Sequence, residues 1–259
     1  MISYNENIVV DGNYKTDGRS GYNLIVDRNL QLLSMDELYE ENWPGILARP
    51  LFMDDDRVIL HPWDSEKYER AVQYHLRKLE RSKTGGIVMA KLKKVVTIVP
   101  FTELENNATA TRDGKFVYFT PGLHLPSQSR VSLSQVSQQE YDYGDTALFT
   151  LCHELVHTAC AHIGFPEEVW KGNPNDSLWE FVAMLITNIC RSELNVAYVR
   201  LYHNAGFYKK MSEEKYLTDR YIKDGMMKFL KHAPDLFYKL GEVNSKWNAI
   251  RYFLNSLFS

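Results

Sequence analysis

Thr146-Ala147-Leu148-Phe149-Thr150-Leu151-Cys152-His153-Glu154-Leu155-Val156-His157-Thr158-Ala159-Cys160 is an apolar run that carries two histidines four residues apart with a glutamate between them. On a helix of 3.6 residues per turn, His153 and His157 project from one face, one turn apart. Glu154 then lies beside them, near where a water on a shared metal ion would sit. The residue types suit that chemistry: neutral imidazole is a good zinc ligand, and a carboxylate that does not bind the metal can take a proton from water. With eight His in 259 residues, the chance expectation for H-E-x-x-H is roughly 0.02, before any demand for a helix around it. The competing reading is a surface helix with ordinary histidines, but Leu151, Cys152, Leu155, Val156, Ala159 and Cys160 surround the motif with apolar side chains, as a buried helix requires.

A catalytic zinc needs a third protein ligand. A regular metzincin spacing is excluded, because His162 is five rather than six positions after His157 and Cys160 stands where the glycine belongs. Glu180 is the better candidate: Leu178-Trp179-Glu180-Phe181-Val182-Ala183-Met184-Leu185 sets one carboxylate in an apolar stretch, where it is costly unless partnered. The 22 residues between His157 and Glu180 leave room for a loop that returns a second helix beside the first. Ser177-x-x-Glu180 also fits a capping box, in which Glu180 would only bond the start of its helix. Asp176, Glu168 and His162 are lesser ligand candidates. An oxyanion-stabilising group is expected too, and Tyr141, Tyr143, Tyr198, Tyr202 and His203 are all open for it.

The chain is long enough for one large domain or two small ones. Its formal charge of −3 provides no global attraction to nucleic acid or to anionic membranes. Cys152, Cys160 and Cys190 are odd in number and lie in apolar segments, so they read as reduced core thiols. No apolar run approaches the roughly 20 residues of a membrane span, and the first residues carry no signal-peptide pattern. The expectation is a cytoplasmic product as synthesised, with delivery into another cell by a specialised secretion system left open.

Residues 1–64 read as an irregular β-containing lobe, with short runs at Ile8-Val9-Val10 and Leu24-Ile25-Val26 between turn signals. Residues 65–259 read as the catalytic domain with a C-terminal helical part. Within it, Asp64-Ser65 starts a helix to about Ser82, which Gly85-Gly86 is expected to close. Strands are expected at 95–99 and 115–120 and a Ser/Gln-rich loop at 122–142. Asp145 is expected to cap the metal helix, Gly164 and Pro166 to end it, and a buried helix to run from about Ser177 to Asn195. The remainder is expected to be helical. The fold class is thus α+β, with a small sheet preceding the metal helix.

Leu79-Glu80-Arg81-Ser82-Lys83-Thr84-Gly85-Gly86, the strand at 115–120, Leu151 to Ala159 around the zinc motif, and Trp179-Glu180-Phe181 together resemble the bacterial effector-type zinc metallopeptidases related to the type III effectors that cleave host MAP kinases. The likeness spans roughly residues 70–195, and the zinc motif is its specific part. The resemblance implies a zincin-like fold, Zn2+ as cofactor, His153 and His157 as ligands, Glu154 as catalytic base, Glu180 as the acidic ligand, and a protein or peptide substrate. The strand at Phe116–Phe119 is expected, by fold analogy, to pair with that substrate. Two rival readings use the same motif: a non-catalytic zinc-stabilised interaction module, and a zinc amide hydrolase acting on a small molecule or cell-wall peptide. Substrate identity and oligomeric state are not legible in the residues.

Overall fold

The computed structural model describes residues 2–5, 7–10, 65–99, 108–119, 143–203, 207–209 and 211–257. Strands β1 (Ile2–Asn5) and β2 (Ile8–Val10) are followed by helices α1 (Ser65–Arg81) and α2 (Lys83–Met89) and strands β3 (Val96–Val99), β4 (Ala108–Ala110) and β5 (Phe116–Phe119). Helices α3 (Tyr143–Ile163) and α4 (Leu178–Glu193) come next, then β6 (Tyr198–Arg200) and β7 (Phe207–Lys209). The chain ends in α5 (Glu213–Leu217), α6 (Arg220–His232), α7 (Pro234–Gly241) and α8 (Ala249–Leu257). This is a mixed α+β fold with a small sheet and several helices. Most of the expected N-terminal lobe, including Leu24-Ile25-Val26, and the expected loop at 122–142 lie outside the described residues. Among the described residues no helix is long and apolar enough to cross a membrane.

Two compact units are distinguishable, one of Met1–Leu76, Thr97–Thr109 and Phe116–Leu151, the other of Arg77–Val96, Ala110–Lys115 and Cys152–Ser259. The five-stranded sheet has the order β1-β2-β3-β5-β4. β3 and β5 are parallel, with Ile98 opposite Val117, and Ile98, Val99, Val117 and Phe119 are fully buried. β5 is therefore an interior strand with β3 on one side and β4 on the other. The expected pairing of Phe116–Phe119 with a substrate is overturned, because an interior strand has no unpaired edge to offer.

In the second unit, α4 is the central helix. Leu178, Phe181, Val182, Leu185, Ile186 and Ile189 are all fully buried, and each such side chain stabilises the fold by about 1.5–3 kcal/mol relative to exposure. α6 approaches α4 at Gly225, where a Cβ would come within 2.7 Å of the Phe181 ring. Phe229, Phe237 and Ile250 continue this core through α6, α7 and α8. Cys152, Cys160 and Cys190 are buried free thiols.

Three sequence expectations need correction here. Gly85 and Gly86 do not close α1. That helix stops at Arg81, and Ser82, in an extended conformation, caps α2, its side chain accepting from Gly85 N–H. The Ser82 hydroxyl also donates to Leu79 O at 2.8 Å, and a Cβ on Gly85 would stand 2.1 Å from that carbonyl oxygen. Glycine is needed for the close approach of two consecutive helices rather than for termination. α3 begins at Tyr143, so Asp145 falls inside the first turn instead of at its cap. Finally, Tyr198–Arg200 and Phe207–Lys209 are not helical: as β6 and β7 they pair antiparallel, with Val199 opposite Tyr208.

Candidate metal centre

α3 runs through the motif without interruption and ends, as expected, at Gly164, whose φ of 68° is the left-handed conformation glycine adopts freely. Leu155, Val156, Ala159 and Cys160 are buried, so the helix is held on most of its circumference. His153 and His157 share the remaining face. Their Nε2 atoms are 3.0 Å apart, with the rings crossed at 79° and centred 4.7 Å from one another.

Glu180 arrives from the first turn of α4. Ser177 caps that helix, its side chain accepting from Glu180 N–H at 3.2 Å, so half of the capping box forms. The Glu180 carboxylate turns to the histidines: Oε2 is 3.0 Å from His153 Nε2 and Oε1 is 3.3 Å from His157 Nε2. A tetrahedral zinc with arms of about 2.05 Å has ligand atoms about 3.3 Å apart. The separations of 3.0, 3.0 and 3.3 Å among these three side chains fit such an ion, and two imidazoles with one carboxylate are a donor set that suits zinc.

A third imidazole joins them. His203 Nε2 is 3.4 Å from Glu180 Oε2, and its Nδ1 donates to Asp176 Oδ2 at 3.1 Å. Ligand-type atoms of His153, Glu180 and His203 all lie within 4.8 Å of one another. Outer support is uneven. Trp179 Nε1 donates to Phe165 O, and its ring stacks 6.2 Å from His157, yet His157 Nδ1 has no partner among the described residues.

Glu154 is 7% exposed and stands apart from this cluster. Burial pushes its carboxyl up to about 7, against the pull of the neighbouring His157 and a hydrogen bond donated by Ala110 N–H, while Glu180 adds to the rise. Burial likewise holds His153 down to about 4, although Glu180 opposes this. At His157 burial disfavours the charge, but the hydrogen bond to Glu180 and the charge of Glu154 prevail and raise its pKa. At Glu180 the two histidine hydrogen bonds outweigh burial and hold the carboxyl well below its ordinary range.

The lesser ligand candidates are engaged elsewhere or indirectly. His162 Nε2 donates to Gly114 O at 3.0 Å, pinning a turn in which Gly114 has a φ of 69°. Glu168 accepts from Lys228 Nζ at 2.7 Å and from Trp170 Nε1. Asp176 reaches the cluster through His203. Among the open oxyanion candidates, Tyr141 lies outside the described residues, Tyr143 opens α3, Tyr198 belongs to β6, and the Tyr202 hydroxyl donates to Asp219. Sequence reasoning named His203 and Asp176 for separate roles and did not see them as a pair. Compared with family models, with curated proteins and with solved structures, the chain matches none of them.

Proposed function

We propose that this chain is a zincin-type zinc metallopeptidase that hydrolyses peptide bonds in a protein or peptide substrate. The observation that carries the reading is the convergence of His153, His157 and Glu180 at 3.0–3.3 Å, beside a buried carboxyl, Glu154, that is not drawn into their cluster. His153, His157 and Glu180 would hold the zinc, which when bound supplies Lewis acidity toward water and the scissile carbonyl.

Glu154 does the proton work. A general base is most effective when its pKa lies near the working pH, and burial brings this carboxyl to about 7. It takes a proton from water as the water oxygen bonds to the carbonyl carbon, and passes that proton to the amine nitrogen as the C–N bond breaks. The products are a carboxylate and an amine, and Glu154 returns to its starting state. Ala110 N–H, at the end of β4, donates to Glu154 and fixes its place. The likeness to effector-type peptidases supports delivery into a target cell as the setting of the activity.

A non-catalytic zinc clamp has no use for a buried carboxyl held next to the ligands and outside their set. Wild type and Glu154→Gln, profiled on a peptide library and on denatured protein substrates, provide the test. Wild type should cleave, and Glu154→Gln should lose about 10²–10⁴ in rate while keeping its zinc. Equal cleavage by both proteins, or none by a zinc-loaded wild type, would refute the proposal.

A further inference from the structure

We propose that His162 is a positioning residue for Glu154: through the Gly114 carbonyl it fixes the turn between β4 and β5, and that turn holds Ala110 N–H on the Glu154 carboxylate. This rests on the peptidase reading above and gives a part in the reaction to a histidine outside the metal cluster.

The turn is braced within itself. Gly114 N–H donates to Thr111 O at 2.9 Å, and the Asp113 carboxylate accepts from the Thr111 hydroxyl at 2.7 Å and from Lys115 N–H at 3.1 Å. A turn closed by such bonds moves as one piece, so its attachment to the rest of the chain decides where Ala110, the residue before it, comes to lie. Residues Ala110–Lys115 belong to the same compact unit as α3 from Cys152 onward.

His162 and Arg112 both join this turn to the segment that begins with α3, and their exposures decide which of them matters. Arg112 Nε lies 3.4 Å from Glu167 Oε2, but the Arg112 side chain is 84% exposed, and ion pairs in open solvent hold little. His162 is buried, and its Nε2 donates to Gly114 O at 3.0 Å. A carbonyl only accepts, so the proton sits on Nε2. The other ring nitrogen, Nδ1, is buried and has no partner among the described residues, which leaves the bond to Gly114 as the ring's polar task. Gly114 is shaped for that bond. Its φ is 69°, and a Cβ there would stand 2.8 Å from the His162 ring and 3.2 Å from Ala161 Cβ. Glycine permits both the left-handed backbone and the close approach of the turn to the end of α3.

α3 thus meets this stretch of chain at two levels. Glu154 accepts from Ala110 N–H, and His162, about two helical turns further on, holds Gly114. The helix is continuous between them, so it sets the spacing of the two side chains. During hydrolysis the water oxygen bonds to the carbonyl carbon, its proton goes to Glu154, and the amine nitrogen receives that proton as the C–N bond breaks. Misplacing a reacting group by about 1 Å costs on the order of 10² in rate. Removing the His162 donor leaves the buried Gly114 carbonyl without that bond, a cost that movement of the turn relieves, and Ala110 N–H moves with the turn.

The experiment compares zinc-loaded wild type with His162→Phe, which keeps a ring of similar size without a donor, and with His162→Gln, whose amide restores one. Three quantities are read: exchange of the alanine amides with solvent by NMR, zinc affinity against a competing chelator, and kcat and KM on a peptide that wild type cleaves. His162→Phe should exchange the Ala110 amide at least about tenfold faster, while Ala159 on α3 and Ala183 on α4 keep their wild-type rates. Its kcat should fall about 10–100-fold, with KM and zinc affinity within about twofold of wild type. His162→Gln should recover most of both losses. Unchanged Ala110 exchange in His162→Phe would overturn the proposal. So would faster exchange at Ala159 and Ala183 as well, which would make His162 a prop of the whole fold, and so would a roughly tenfold loss of zinc affinity, which would make it part of the metal centre. An unchanged kcat despite faster Ala110 exchange would show Glu154 to be independent of the turn and overturn it too. A wild type that binds zinc and cleaves no peptide removes the peptidase reading; the exchange measurement then decides by itself whether His162 holds Ala110 N–H in place.

Discussion

Replacing Glu154 by Gln in the metal-free protein should change how its stability responds to pH. The folded carboxyl titrates near 7 because burial disfavours its charge, against an ordinary value of 4.5. The group's contribution is therefore fully present below pH 4.5 and is lost as the pH rises through about 7. Carried from 4.5 to about 7, at about 1.4 kcal/mol for each tenfold change in protonation, the loss totals about 3 kcal/mol. About 2.5 kcal/mol of it falls between pH 5 and pH 8. His157, also raised, acts in the same direction, whereas His153 and Glu180, both lowered, gain stability as the pH rises. Wild type alone reports the sum of these. The difference between wild type and Glu154→Gln isolates the carboxyl, because Gln keeps the shape and does not titrate. Urea unfolding in the presence of chelator at pH 5 and pH 8 gives the two free energies, compared at unchanged slope. Glu154→Gln should gain about 2.5 kcal/mol on wild type between the two pH values. Parallel behaviour of the two proteins would refute the claim that burial outweighs the pull of His157 and the Ala110 hydrogen bond on this carboxyl.

Elemental analysis of protein purified with zinc present should find about one zinc per chain, and Glu180→Gln should weaken zinc binding at least about tenfold in a chelator competition while the fold survives; wild-type affinity in that variant would remove Glu180 as a ligand. Gly85→Ala should cost about 1–3 kcal/mol, because a Cβ there meets the Leu79 carbonyl at 2.1 Å. A thermal midpoint equal to that of wild type would mean that α1 and α2 can move apart at no cost.

Features that depend on a single helix were legible in the sequence, and features that depend on which segments meet were not. His153 and His157 share a face on any helix, so their convergence needed only the apolar run around them. Glu180 was legible in part: one carboxylate in an apolar stretch needs a partner, but the sequence left both the helix start and the two histidines open to it, and the structure turns the carboxylate to the histidines. Gly85 shows the opposite case. Local rules read a glycine after a helix as a stop, and nothing nearby in the sequence announces that Leu79 O will stand where a Cβ would be. The sheet order is non-local in the same way. β5 reads as a strand from its β-branched and aromatic residues, but that it lies between β3 and β4, leaving β4 at the edge, follows from a topology its own residues do not encode. His203 and Asp176 combine both difficulties. They are 27 positions apart, they meet only because three-residue β6 is bound to α4 through Asn188, and strands that short carry no readable period. The motif on α3 is thus the part of such a centre that a sequence displays most openly. Asp176 and His203, which meet beside that cluster, come from separate segments, and only the assembled fold shows which polar side chains have been brought together.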